Sequence, residues 1–271
     1  MTMLRFLDRP AGRLAYELTG DPSGPLVICC PGMGDLRSSY RALAERLAAG
    51  GIRVASMDLR GHGQSDIGWP DYSPGAVADD LLALVDALGG RAVLVGNSYG
   101  GSAAVLAAAR EPAAVAGLVL LGAFVRDSRR SLGQRLQIAL IRRTRPGRAL
   151  WTAVAWPSFF GRRPADFPER RAELKAALAR PRGYEAVAAM MAPARHRDTE
   201  PQLGRVQAPA LVVMGAADPD FPDPAAEARF TAGALGGPAE VLLLDGVGHY
   251  PQAEAAAEVA PAVSALVEKV W

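Results

Sequence analysis

The sequence predicts an α/β protein with a mainly parallel sheet covered by helices on both faces. Short apolar runs such as Leu26-Val27-Ile28-Cys29-Cys30 and Val93-Leu94-Val95 lack the alternation of a half-solvated strand, so both of their faces are buried. Several of these runs lead through a loop into a segment with apolar residues at helical spacing, the rhythm of strand-helix-strand units. The chain has 271 residues, of which 50% are hydrophobic and 21% charged, with a net charge of +2. That composition suits one sizeable core and excludes a disordered or collagen-like chain.

The elements follow in order. Residues 5–7 and 13–18 flank Pro10-Ala11-Gly12 and read as an opening hairpin. After the strand at 26–30, leucines at 43 and 47 mark one face of a helix over 39–49. Residues 52–57 lead to a helix over 77–88, and residues 92–95 to a helix over 102–110. Residues 118–121, 211–214 and 241–244 are further apolar strands, the last two followed by alanine-rich helical stretches. Between 126 and 205 the rhythm stops. That stretch holds 18 Lys and Arg against 7 Asp and Glu, and the remainder holds 12 against 21. A segment of such length with its own charge balance predicts a mostly helical lid over 126–205, inserted in a core formed by 1–125 and 206–271.

Other classes are set aside. No apolar run approaches the ~18 residues of a membrane span, and Met1-Thr2-Met3-Leu4-Arg5-Phe6 lacks a secretory layout, so a cytoplasmic location is expected. Cys29 and Cys30 are neighbours and build no disulfide framework. Of the 30 basic residues only Lys175 and Lys269 are lysine. No nucleic-acid motif accompanies the arginines, and no nucleic-acid partner is expected.

Chemistry concentrates in three places. Gly96-Asn97-Ser98-Tyr99-Gly100 joins a buried strand to a small-residue helix, and its glycines allow the tight turn that lifts the Ser98 hydroxyl above the sheet edge as a nucleophile. A serine needs a base, and the chain has three histidines. His62, in a glycine-rich turn before the nucleophile, suggests a structural role, and His196 sits between Arg195 and Arg197, whose charge opposes protonation. His249, in Gly248-His249-Tyr250-Pro251 just past the last strand, is the expected base. Asp218, after the strand at 211–214, is the expected acid that orients it, with Asp220 and Asp223 as rivals. The oxyanion donors are expected at the backbone N–H groups of Tyr99 and, from the loop Pro31-Gly32-Met33-Gly34-Asp35, of Met33. No metal site is expected at Asp35, since no cluster of ligand spacing accompanies it.

The order Ser98, Asp218, His249 on this alternation resembles the α/β-hydrolase superfamily, across the whole chain outside the insertion. The stretch from Asp58 to Asp66, DLRGHGQSD, resembles the family's turn before the elbow, and Gly246 to Glu254, GVGHYPQAE, its histidine loop. The resemblance implies an eight-stranded sheet, with the lid between strands six and seven. The family often has His-Gly at the end of the oxyanion strand, where this chain has Pro31-Gly32. Serine at the nucleophile position argues against the aspartate-dependent epoxide hydrolases and haloalkane dehalogenases.

The resemblance implies a carboxylesterase-like serine hydrolase of esters, thioesters or lactones that needs no cofactor and takes a small-molecule substrate. Gly96-Asn97-Ser98 also resembles the elbow of the meta-cleavage carbon-carbon hydrolases, which differ where Tyr250 follows His249. A third reading is a ligand-binding receptor with an idle triad. In the lid, Leu132, Leu136 and Leu140 form a stripe bracketed by arginines, with Trp151, Trp156, Phe159 and Phe160 following. The stripe is expected to pack on the core, and contact with an anionic membrane surface is the lesser reading. The aromatic residues with Met190 and Met191 favour an apolar pocket. Nothing in the chain sets an oligomeric state.

Overall fold

The computed structural model describes residues 3–127, 132–191 and 198–271. From the N-terminus, β1 (Met3–Arg9) and β2 (Gly12–Thr19) form the hairpin. Then β3 (Leu26–Cys30), α1 (Arg41–Ala49), β4 (Arg53–Met57), α2 (Pro74–Leu88), β5 (Ala92–Asn97), α3 (Tyr99–Arg110) and β6 (Val115–Leu121) alternate. Residues 126–205 contribute α4 (Leu132–Ile141), α5 (Thr144–Leu150), a π-helical turn over Trp151–Ala155, α6 (Trp156–Ser158), α7 (Phe167–Ala179) and α8 (Glu185–Met190), with no strand among the described residues. The chain closes with β7 (Ala210–Gly215), α9 (Pro224–Ala234), β8 (Ala239–Leu244), α10 (Pro251–Glu254) and α11 (Ala256–Val270).

The strands form one eight-stranded sheet in the order β1-β2-β4-β3-β5-β6-β7-β8. The β1-β2 and β2-β4 pairings are antiparallel and the rest parallel. Alternation of side chains divides the core in two. Ile28, Leu94, Leu120 and Met214 pack with α2 and α3 on one face, and Val27, Val95, Leu121 and Val213 pack with α1 and α11 on the other. All residues of β3, β5, β6 and β7 are buried. β8 departs from the expected two-sided burial: as the edge strand it leaves Val241 and Leu243 exposed.

Local chemistry sets the helix starts. The Ser73 hydroxyl accepts from Ala76 N at 3.2 Å with Pro74 in the first turn of α2, and Asp223 accepts from Ala226 N at 2.8 Å at the start of α9. The inserted helices enclose a third core around Trp156, Phe167, Leu174 and Val187, shared with Leu36, Tyr250 and Ala253 from the rim of the sheet. The leucine stripe of α4 does not pack as expected. Leu136 and Leu140 are 64% and 46% exposed, because α4 turns Ile138 and Ile141 inward instead; the Leu132 side chain lies outside the described set.

The DLRGHGQSD stretch is a buried ionic frame. The Arg60 guanidinium lies over the Trp69 ring at 4.7 Å, donates to Asp80 at 2.7 and 2.8 Å, and donates to the carbonyls of Asp71 and Ala76. Arg9 also donates to Asp80, at 3.2 Å. Asp58, fully buried, accepts from the Arg37 guanidinium and from the backbone N–H groups of Arg37 and Gln64. Removing one partner of such a pair strands the other charge in the interior. Asp80→Ala should destabilise the fold by about 3–5 kcal/mol, measured by denaturant unfolding.

Candidate active site

The carboxyl ends of β5, β6, β7 and β8 meet at one edge, where the predicted residues converge. Ser98 links β5 to α3 with φ 52° and ψ −116°, a left-handed conformation that a residue with a Cβ adopts only under constraint. The strain falls on the serine itself, and the flanking glycines serve by lacking a side chain. A Cβ on Gly96 would lie 2.4 Å from the Gly100 carbonyl oxygen, and one on Gly100 would lie 2.4 Å from that of Cys30. Ser98 N–H donates to the Leu121 carbonyl at 3.0 Å, which fixes the turn to the end of β6.

His249 follows β8 and Asp218 follows β7, both buried. The imidazole Nδ1 meets Asp218 Oδ2 at 2.7 Å, and Asp218 Oδ1 accepts the Asp220 N–H at 3.0 Å. Of the two rivals, Asp220 places its Oδ2 3.7 Å from the other imidazole nitrogen, Nε2, and Asp223 caps α9. Burial opposes a charge on His249, but the Asp218 carboxylate, by charge and hydrogen bond, and the nearby Asp220 and Glu254 outweigh it and raise its pKa to about 9. Gly122, with φ 51°, lets the end of β6 approach this pair: a Cβ there would lie 3.1 Å from Asp218 Oδ2. The rings of Phe124, Phe159 and Tyr250 surround the imidazole at 5.4–5.8 Å, an apolar wall that limits water. Among the described residues no hydrogen bond joins the Ser98 hydroxyl to His249.

Two further residues build the site without having been singled out. Asn97, fully buried, donates from Nδ2 to the carbonyls of Leu121 and His249, both at 2.9 Å, and so ties the histidine loop to the elbow. The Glu254 carboxylate accepts from the N–H groups of Gly248, Tyr250, Gly161 and Arg162 at 2.7–2.9 Å. It joins the histidine loop to the insertion. A carboxylate five residues past the histidine, at the end of a short helical turn, was the sequence signal for it; Asn97 left none, since its partners come from distant segments.

The expected oxyanion loop lies against His62. Gly34 N–H donates to His62 Nε2 at 3.0 Å, and His62 Nδ1 faces the Arg60 carbonyl at 3.1 Å, which sets the neutral tautomer with the proton on Nδ1. Asp35 N–H donates to the Gly32 carbonyl at 3.2 Å. Met33 is partly buried beside both the main and the inserted cores, and Tyr99 opens α3 directly after Ser98. His196 lies outside the described residues. Asp218, Asp220 and His249 hold ligand-type atoms within 4.8 Å of one another.

Burial lowers the His62 pKa to about 4 against an ordinary 6.5, the Arg60 carbonyl acting weakly the other way. The unfolded chain therefore binds this proton first, and stability falls as pH drops from about 6.5 toward 4, by about 1.4 kcal/mol per pH unit for a single site. His62→Gln, which does not titrate, should lose that component; comparing the unfolding free energies of both proteins across this window checks it.

The convergence of Ser98, Asp218 and His249 on one edge of such a sheet invites comparison with known proteins. The sequence matches the model of the alpha/beta hydrolase family over residues 27–262. It is 31% identical over 220 residues to the presumed carbamate hydrolase RutD of Variovorax paradoxus, covering 76% of this chain and 78% of that protein. It is 32% identical over 266 residues to the dihydrolipoyllysine-residue acetyltransferase component of the acetoin cleaving system of Pseudomonas putida, covering 95% of this chain and 68% of that protein. An uncharacterized Mycobacterium tuberculosis protein is 37% identical over 114 residues, and the match spans only 32% of its length. Among solved structures, an esterase from Thermogutta terrifontis superimposes with a TM-score of 0.80 at 25% identity, covering 99% of each chain. Sheet order, elbow and sequence match thus lead to one conclusion: this chain belongs to the alpha/beta hydrolase family.

Proposed function

We propose that this hydrolase cleaves carboxylic esters, thioesters or lactones of a small or acyl-chain substrate through an acyl-enzyme. The observation that carries the reading is the buried 2.7 Å bond between Asp218 and His249 beside a serine held at φ 52°. In this reading the Ser98 Oγ attacks the carbonyl carbon while His249 Nε2 takes its proton, forming a tetrahedral oxyanion. The Met33 and Tyr99 N–H groups hold that oxyanion. His249 returns the proton to the leaving alcohol or thiol, which departs with its bonding electrons. Water, deprotonated by the same imidazole, then releases the acid and restores Ser98. Asp218 keeps the tautomer and stabilises the imidazolium. We assign residues 126–205 as the lid on a core of 1–125 and 206–271, a division supported by the separate aromatic cluster in the insertion.

The reading is tested with a fluorophosphonate probe, which reports an activated serine before any substrate is known. Stoichiometric labelling that maps to Ser98 and disappears in Ser98→Ala is the expected result. Folded wild-type protein that stays unlabelled and turns over none of a panel of esters, thioesters and lactones would sink it. With a substrate in hand, Asp218→Asn should lower kcat by about 10⁴-fold, since its amide holds the wrong tautomer.

The pH dependence follows from the raised pKa of His249. The base must be neutral to accept the serine proton, so kcat/KM should rise with pH through an inflection near 9. Asp220→Asn removes one of the negative charges beside the ring and should move that inflection down, raising relative activity at neutral pH. Parallel pH-rate profiles of the two proteins decide it, and an unmoved inflection contradicts the assigned influence of Asp220.

A further inference from the structure

We propose that Trp151, in the insertion, is a positioning residue that supports the Met33 oxyanion donor through a chain of peptide groups. The inference rests on the hydrolase reading above. The Trp151 indole is buried and donates from Nε1 to the Gly34 carbonyl at 2.9 Å. That carbonyl shares its peptide group with the Asp35 N–H, which donates to the Gly32 carbonyl at 3.2 Å. The Gly32 carbonyl in turn shares its peptide group with the Met33 N–H, which no hydrogen bond uses among the described residues. A peptide whose carbonyl accepts a hydrogen bond becomes a better donor at its own N–H, by about 10–30% per bond. The indole proton therefore both orients and polarises the amide that faces the developing oxyanion.

The geometry leaves this route little freedom. The peptide group between Met33 and Gly34 is held separately, because its N–H is taken by His62 Nε2 at 3.0 Å and cannot turn toward the substrate. Gly34 has φ 70°, and a Cβ there would lie 2.5 Å from the Trp151 ring, so the indole sits directly on the loop. Trp151 is also a ring neighbour of Phe159 at 6.0 Å, and the Phe159 carbonyl accepts the His249 N–H at 2.8 Å. One short stretch of the insertion thus holds the oxyanion loop at one end and the histidine loop at the other. Seating of the insertion sets the strength of the oxyanion donor, and unseating it weakens catalysis without touching Ser98, His249 or Asp218.

Two replacements separate the indole proton from the indole shape. Trp151→Phe removes the donor and some volume, whereas benzothienylalanine at 151 keeps the bicyclic shape and carries sulfur where the N–H was. The readouts are the second-order rate of fluorophosphonate labelling at Ser98 and, with a turned-over ester, kcat and KM. A complete oxyanion donor is worth about 10²–10³ in kcat, so a donor weakened at a distance should cost about tenfold in labelling rate and kcat. KM should stay within about twofold, and dividing both rates by the concentration of active sites, taken from the end point of fluorophosphonate labelling, separates a weakened donor from a smaller folded fraction. If Trp151→Phe fails to fold, the benzothienylalanine protein decides alone. Wild-type labelling rates with benzothienylalanine overturn the inference while leaving the hydrolase reading intact. A wild-type protein that does not label at all removes both.

Discussion

A residue with a Cβ stays at φ 52°, ψ −116° only if its surroundings hold it there against about 1–3 kcal/mol of strain. At Ser98 the holding groups are backbone. Its N–H is bound to the Leu121 carbonyl, its own carbonyl accepts from Gly101 N at 3.0 Å, and the chain before and after it passes too close to Cys30 and Gly100 for any side chain at 96 or 100. The rest of the site depends on this arrangement. Leu121 brings β6 beside the elbow, and Gly122 lets β6 run close under Asp218 and His249. Asn97 spans from the Leu121 carbonyl to the His249 carbonyl, so the strained turn at Ser98 and the placement of His249 share one acceptor, the Leu121 carbonyl.

The insertion is bound to this edge on two sides, by ion pairs between its arginines and carboxylates of the core. Arg170 of α7 pairs with Asp35, at the end of the loop after β3, at 3.3 Å, both buried. Burial raises the Asp35 pKa, and the charge of Arg170 pulls it the other way. On the far side Arg162 reaches Glu258 at 2.5 Å and Arg126 reaches Glu227 at 2.6 Å. The attraction also runs in reverse, since Arg41 of the core pairs with Glu173 of the insertion at 2.7 Å. Docking is therefore a set of specific pairs laid over an aromatic core around Trp156, with the general charge difference as background. The hydrogen bond from Trp151 to the Gly34 carbonyl is a further join between the insertion and this edge.

Much of the fold was legible because parallel strands and their helices carry local signals. The apolar runs from Leu26 to Leu244 each became a strand, and the helix at 102–110 proved only to start earlier, at Tyr99, since the elbow feeds directly into it. Where an element's environment is set by its neighbours, the pattern misled. Val241 and Leu243 are apolar in a strand that happens to be the edge, and the leucines of α4 are apolar on a helix that turns another face inward. Within the site, motif and chain order point to Ser98, His249 and Asp218, and the fold brings the three to one edge of the sheet, with Asp218 against Nδ1 of His249. The geometry distinguishes the aspartates by which imidazole nitrogen each one faces, a relation between loops that no spacing encodes.

The alternating α/β order, the tight turn at Ser98 and the helical stretch between β6 and β7 are readable in the residues alone. These follow from periodicity, from turn-forming glycines and from residue chemistry, all of which act over a few neighbouring positions. The hold of His62 on Gly34, the fastening of the histidine loop by Asn97 and Glu254, and the reach of Trp151 to the Gly34 carbonyl across 117 residues of chain exist only once the chain has folded. Those relations are hydrogen bonds between segments far apart in sequence. Their strength comes from burial, which exists only once the sheet and the insertion have closed around them.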